Sequence, residues 1–409
     1  MPFRTALSGL NAASADLRVT GNNIANTSTV GFKESRAEFA DVFSLSYGGI
    51  SQTAIGSGVR LSAVTQQFGQ GNIDFTGNNL DLAMNGQGFF VLSDSGTRVY
   101  SRAGAFQVNR DGHVVNAQGQ RLQVYPPQNP QGTQFNTGTL SDLQLSTSEA
   151  PPQATSEVDT RLNLSSEAEV ITDAFEMDNP NTFNFSTSLT VYDSLGQTHT
   201  ATLYFQKTDS LEWNTYLSIN GELVPDTVPA TAEELTFNSD GSLATPTTPL
   251  NFGTHDPQNG ADPLNIDFDL SNATQYGGTF NVTSLSQDGF STGRLNSIDI
   301  DSSGVVFARY TNGQSEALGK VALANFANPQ GLQQLGDNAW GESFAAGDVI
   351  LGQADTGNFG TIQAGGLETA NVDIAEQLVK MITAQRNFQA NAQVITTADS
   401  ITQTIINIR

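Results

Sequence analysis

Three groups of residues in this sequence have side chains suited to ion binding or proton chemistry. Asp299-x-Asp301-x-Ser303-Gly304 spaces its oxygens as the opening of a calcium loop does. Such a loop needs a carboxylate at its twelfth position, which here is Tyr310. The run also lies between two strand patterns, so a hairpin turn is expected there. Asp262, Asp267 and Asp269 are the second group. Asn265, Asp267 and Asp269 alternate with Ile266, Phe268 and Leu270, the period of a strand with one solvated face. The third group is His113, His199 and His255, which are widely spaced and stand in no HExxH or nucleophile-elbow pattern. Gly86-x-Gly88 precedes a strand instead of opening a helix, so it is not a phosphate loop. With no Cys in the chain, thiolate catalysis, disulfides and Cys-ligated zinc are excluded. No catalytic residue, metal or cofactor is expected, and the chain does not read as an enzyme.

The chemistry that remains is that of surfaces. The chain has 409 residues and a net charge of −24, which argues against nucleic-acid binding. The charge is concentrated in one segment. Residues 147–288 hold 21 acidic and 2 basic side chains, whereas residues 1–70 hold 4 and 5. A tightly packed assembly cannot readily bury the acidic segment, because like charges repel. The near-neutral ends can pack against copies of themselves. No stretch approaches the ~18 continuous apolar residues of a membrane span, so membrane insertion is not expected. The N-terminal residues lack the pattern of a cleaved secretory signal.

The two ends carry helical patterns. Phe3, Leu10, Leu17 and Ile24 recur every seven residues, with Ala6, Ala13 and Thr20 three positions after the first three. Ile374, Met381, Phe388 and Ile395 repeat at the same interval near the C-terminus, broadened by Leu378, Ala392, Ala398, Ile405 and Ile408. Asn371 or Asp373 can cap this second helix. Either the two helices pair with each other, or they pair with copies on neighbouring subunits. Between them the pattern is strand-like, with turn signals at Ser95-Gly96, Asp111-Gly112 and Asn220-Gly221. The expected fold is mainly β with terminal α-helices. Residues 1–32 and 370–409 would form a helical, coiled-coil-like polymerisation domain, and 33–71 with 358–369 a linker or hairpin region. Residues 72–146 with 289–357 would form a discontinuous β domain, with 147–288 an inserted acidic β domain.

Specific motifs sit beside the terminal helices. Leu7-Ser-Gly-Leu-Asn-Ala-Ala13 is followed by Gly21-Asn22-Asn23-Ile-Ala-Asn26-Thr-Ser-Thr-Val-Gly31-Phe32-Lys33. Near the other end stand Gly365-Gly-Leu-Glu-Thr-Ala-Asn-Val-Asp373 and Ala384-Gln385-Arg386-Asn387-Phe-Gln-Ala-Asn-Ala392. These resemble the terminal signatures of the flagellar rod and hook axial proteins. Leu80–Phe90 and Tyr100–Phe106 are similar to the first β domain of that family, and Val191–Gly196 and Gly319–Asn328 to segments of its hook-type members. The large acidic insertion also points to the hook type.

The resemblance implies a homopolymer built as a flexible helical tube that acts as a universal joint. Its partners would be rod and hook–filament junction proteins, a hook cap and the flagellar type III export apparatus. It implies a place in the extracellular part of the hook–basal body, reached without a cleaved signal. Phe39-Ala-Asp-Val-Phe43 resembles an export-gate motif of early flagellar substrates, and on its residues alone reads equally as one face of a short packed helix. A distal rod or other flagellar axial protein, or less readily a secreted β-rich adhesin, remains as an alternative.

Overall fold

The computed structural model describes residues 2–42, 56–145, 149–225 and 230–407. The chain forms two compact units. The first comprises residues 1–146, 297–309 and 315–409, and the second residues 147–296 and 310–314. Strands dominate, with α1 (Pro2–Ala25) and α2 (Ile374–Asn407) at the two extremes.

The first unit is built on a mixed-length sheet. Its central path runs from strand Val305–Tyr310 through Ser315–Phe326, Arg121–Tyr125 and Phe89–Asp94 to Thr97–Ser101. The run Phe89–Leu92 is apolar on both faces because the sheet is covered on both. Phe90 and Leu92 join a core with Leu82, Met84, Leu122 and Val321, while Phe89 and Val91 join another with Tyr100, Phe326 and Trp340. Ser95 and Gly96 both have positive φ, as the tight hairpin between two of these strands requires.

The acidic unit is a two-sheet β structure around a single core. Strands Phe185–Tyr192, Thr198–Asp209 and Glu212–Ile219 belong to one sheet, and Glu157–Ser165, Leu250–His255 and Leu264–Asp269 to the other. Trp213, Phe205, Leu203, Phe268 and Leu164 lie in the shared core. On Leu264–Asp269, Leu264, Ile266 and Phe268 point inward while Asn265 and Asp267 are exposed, so the strand has one solvated face. The Asp299–Gly304 run forms the turn between strands Leu295–Ile300 and Val305–Tyr310. Asp301 Oδ1 is occupied there by the Val305 amide and the Ser303 hydroxyl, which spends its acceptor capacity on the turn itself.

Several boundaries differ from the sequence reading. The step in charge falls at residue 288, but the compact unit extends to 296 because Ala150 and Gln153 bridge to Gly293 and Phe290. Residues 358–369 are not a simple linker. Thr361–Ala364 pairs with Leu82–Asn85, and Gly366–Glu368 pairs with Ile73–Phe75. Phe39 lies in strand Ser35–Asp41, paired with Val59–Gln66, and not on a short helix. Cross-strand pairing supplies the hydrogen bonds that a helical turn would otherwise provide.

Candidate assembly site

The junction where both chain ends meet the first β sheet is built from polar residues that are almost fully buried. Lys33 Nζ donates to Glu368 Oε1 at 2.7 Å and to the Gly69 carbonyl at 2.7 Å. Neither side chain of the Lys33–Glu368 pair is exposed. Glu368 Oε1 also accepts the Gly71 amide, and its Oε2 faces Arg102 Nη1 at 3.4 Å. Burial pulls the Lys33 ammonium below the usual lysine range, and the Glu368 carboxylate opposes that shift. The Arg102 guanidinium is likewise lowered by burial and held up by Glu368. Gly31 sits above this cluster with φ +69°, its amide donating to the Glu368 carbonyl. A Cβ on Gly31 would come within 2.5 Å of the Ala103 backbone nitrogen, so only glycine fits this close approach.

A second layer of amides ties the helices to the hairpin. Asn23 brackets Ser35, donating to its carbonyl at 2.8 Å and accepting its amide at 3.0 Å. Asn23 also donates to Gln377 Oε1 at 3.2 Å, while Gln377 and Lys380 both donate to Glu34 Oε1. Burial works against the Lys380 charge, but hydrogen bonds to Glu376 and Glu34 outweigh it and raise its pKa. Asn371 accepts the Glu34 amide and donates to the Gln67 carbonyl. Asp373 caps α2 by accepting the Ala375 and Glu376 amides.

Above this junction α1 and α2 run antiparallel, since Asn23 meets Gln377 at one end and Gly9 lies against Asn391 further along. The residues that fill the contact are small: Ala6, Ala13 and Thr20 on α1, and Ala384 on α2, are buried. Small side chains let the two backbones approach closely. The larger apolar residues are displaced outward. Leu10, Leu17, Ile24, Met381, Phe388 and Ile395 are half-buried, and Phe3, Ile374 and Leu378 are exposed. Val379, Ile382, Val394 and Ile401 add further exposed apolar surface to α2. Ile405 lies in α2, and Ile408 falls outside the described residues.

The motif residues divide by role. Asn23, Gly31 and the buried Phe32 belong to the junction. Asn26 closes the end of α1, donating to the Asn22 carbonyl and accepting from Thr29. Gln385, Arg386 and Asn387 are exposed on α2. Phe39 is exposed on its strand, and Phe43 falls outside the described residues.

Four family models match successive parts of the chain. Residues 3–33 match the flagella basal body rod protein model, and 83–156 the flagellar hook protein FlgE/F/G D1 domain. Residues 159–290 match the flagellar basal body protein FlaE D2 domain, and 363–408 the flagellar basal body rod FlgEFG protein C-terminal model. The flagellar hook protein FlgE of Escherichia coli is 38% identical over 412 residues, covering 100% of both chains. This chain belongs to the flagellar hook protein family. FlgE of Borreliella burgdorferi is 31% identical, covering 99% of this chain and 98% of the relative. The crystal structure of Helicobacter pylori flagellar hook protein FlgE2 is similar in fold, with a TM-score of 0.56 at 15% identity, over 72% of this chain and 100% of that one.

In this hook-family chain, sequence reasoning assigned no role to Glu368, Arg102 or Gln377, and it offered Asn371 only as a helix cap, a place that Asp373 takes while Asn371 bonds Glu34 and Gln67. All of them stand inside or next to segments that carry the family resemblance, Arg102 within Tyr100–Phe106. The available signal was a Lys at one motif and a Glu at the other in a chain where only 14% of residues are charged. The acidic unit holds its own buried polar group. Asp193 lies 3.0 Å from His199 Nε2 and accepts Asn259 Nδ2 and the Leu195 and Gln197 amides. Burial pushes Asp193 upward, but these hydrogen bonds prevail and bring its pKa down to about 2. Among the described residues no group of three or more His, Asp or Glu side chains is arranged to hold a metal ion.

Proposed function

We propose that the chain is the structural subunit of a flagellar hook, polymerising through its terminal helices into a flexible helical tube that passes torque from rod to filament. The observation that carries this reading is the apolar side of α2. Ile374, Leu378, Val379 and Ile382 lie exposed on a helix whose base is fixed by a buried junction. Burying apolar surface yields roughly 25 cal/mol per Å². The stripe therefore favours contact with another apolar surface, and a second copy presents one of the same kind. The acidic unit, which resists close packing with its own copies, faces outward in this reading. Outside the acidic segment the surface is rich in uncharged polar side chains, which exchange partners and water at low cost while a tube bends.

The partners follow from that role. The tube joins rod proteins at one end and hook–filament junction proteins at the other, grows beneath a hook cap, and receives subunits from the flagellar type III export apparatus. Phe39 and Phe43 serve as the export signal while the chain is unfolded. The deciding experiment is electron microscopy of polymer grown from the purified chain. Curved, flexible tubes are expected. Straight rigid tubes would assign the chain to the distal rod instead, and a chain that stays monomeric under all polymerising conditions would overturn the assembly reading.

A further inference from the structure

The first unit contains a cavity of about 450 Å³ that the terminal helices do not line. Phe68, Phe89, Phe326 and Ile350 give it apolar walls, and Asn325 and Asn358 place amides beside them. Arg102 lines the same cavity. Its side chain is almost wholly buried, with its guanidinium carbon 5.4 Å from the centre of the Phe89 ring. Among the described residues Arg102 Nε has no hydrogen-bond partner. The ion cluster behind the wall holds two cations, Lys33 and Arg102, and one carboxylate, Glu368. It therefore carries a net positive charge in a place where unbalanced charge is costly. An aromatic cleft with amides at its edge and excess positive charge in its wall suits a carboxylate on a short apolar stem.

We propose that this cavity receives a carboxylate-bearing side chain from the acidic unit of a second copy of the chain. The inference rests on the polymer reading above. Charge complementarity selects the occupant, because residues 147–288 hold 21 acidic and 2 basic side chains. Within that unit the exposed pair Glu169–Val170 offers a carboxylate next to an apolar group, and Ile350, 56% exposed, offers an apolar rim to meet it. A groove on one unit and its ligand on the other make a head-to-tail contact. Such a contact repeats along a helical polymer without closing on itself.

The absence of Cys from the chain makes the test clean. Ile350→Cys is combined in turn with Val170→Cys, Leu195→Cys, Leu211→Cys and Tyr276→Cys, all exposed positions. Each double variant is polymerised, oxidised and run on a denaturing gel. A ladder of covalent multimers is expected from polymers and not from monomers, strongest for the Val170→Cys pair. A ladder from one of the other three pairs would still place the acidic unit at the cavity. Asn358→Asp, which sets a negative charge at the exposed rim, should reduce the cross-linked yield several-fold. Polymers that form normally but give no ladder from any pair would overturn the inference and leave the hook reading standing, as would a ladder indifferent to Asn358→Asp. Failure of the unmodified chain to polymerise would overturn both.

Discussion

Lys33 and Glu368 stand 335 residues apart in the sequence and 2.7 Å apart in the fold, neither side chain reaching solvent. One belongs to the motif after α1 and the other to the motif before α2, so this ion pair closes the two ends of the chain on the first β sheet. Removing one partner of a buried pair leaves an uncompensated charge, at a cost of about 3–5 kcal/mol. Glu368 is the more sensitive partner because it faces two cations. Glu368→Leu should lower the stability of the first unit by about that amount, while Lys33→Met, which leaves Glu368 beside Arg102, should cost clearly less. Urea unfolding followed at Trp340 in a Trp213→Phe background measures both. Equal and small losses would show that the pair does not hold the ends together.

Gly31 and Gly21 make a matched comparison. Gly31 has φ +69° and faces the Ala103 backbone, whereas a Cβ on Gly21 would meet nothing within 4 Å. Gly31→Ala should destabilise by about 1–3 kcal/mol from backbone strain alone, with the close approach adding to it. Gly21→Ala, inside α1, should stabilise by roughly 0.5–1 kcal/mol. Thermal unfolding of both variants gives the answer, and a shift of the same sign for the two would contradict this account.

How much of this was legible in the sequence depends on distance along the chain. Local patterns reported faithfully. The apolar run Phe89–Leu92 and the Asn220-Gly221 turn follow from period and from glycine's freedom at positive φ, and both elements are present. The terminal helices are where their heptads place them. What the spacing could not disclose is which face of each helix packs inside the chain. Ala6, Ala13 and Ala384 fill the contact, and the larger Phe3 and Leu378 are left outside. The buried junction was also hidden, because contacts such as Asn23–Gln377 and Lys33–Glu368 join residues more than 300 positions apart. No local periodicity encodes such a pair.

Asp193 gives the acidic unit a defined pH dependence. Its folded pKa of about 2 lies below the usual carboxylate value of 3.8. A depressed carboxylate contributes stability that is fully present above about pH 4 and lost as pH falls through about 2. The difference corresponds to roughly 2 kcal/mol. Asp193→Asn should lower stability at pH 7 and flatten the acid limb between about pH 4 and 2. Denaturant unfolding monitored at Trp213 across that range is the measurement, and an unchanged acid limb would remove Asp193 from the account.

Phe39 allows export to be separated from folding. It is 40% exposed on its strand, so Phe39→Ala should cost only about 1–2 kcal/mol, too little to unfold the chain. If the unfolded chain is read through Phe39 and Phe43, replacing both by Ala should sharply reduce secretion while the purified protein still folds. Secretion at the normal level would sink the export reading.

The exposed stripe of α2 allows assembly to be separated from folding in the same way. Leu378 and Ile382 are 46% and 49% exposed, whereas Ala384 is buried against α1. Leu378→Asp and Ile382→Asp should therefore cost the monomer only about 1 kcal/mol each, not enough to unfold it. Each places a charge where a second copy would bury an apolar surface, and an unpaired buried charge is strongly disfavoured. Polymerisation should fall steeply or stop in both. Ala384→Asp should instead loosen the helix pair in the monomer, since its carboxylate would be buried between α1 and α2. Sedimentation reports polymer and far-ultraviolet circular dichroism reports the helices. Polymers forming normally from Leu378→Asp and Ile382→Asp would mean that the α2 stripe is not the assembly surface, whatever the fate of Ala384→Asp.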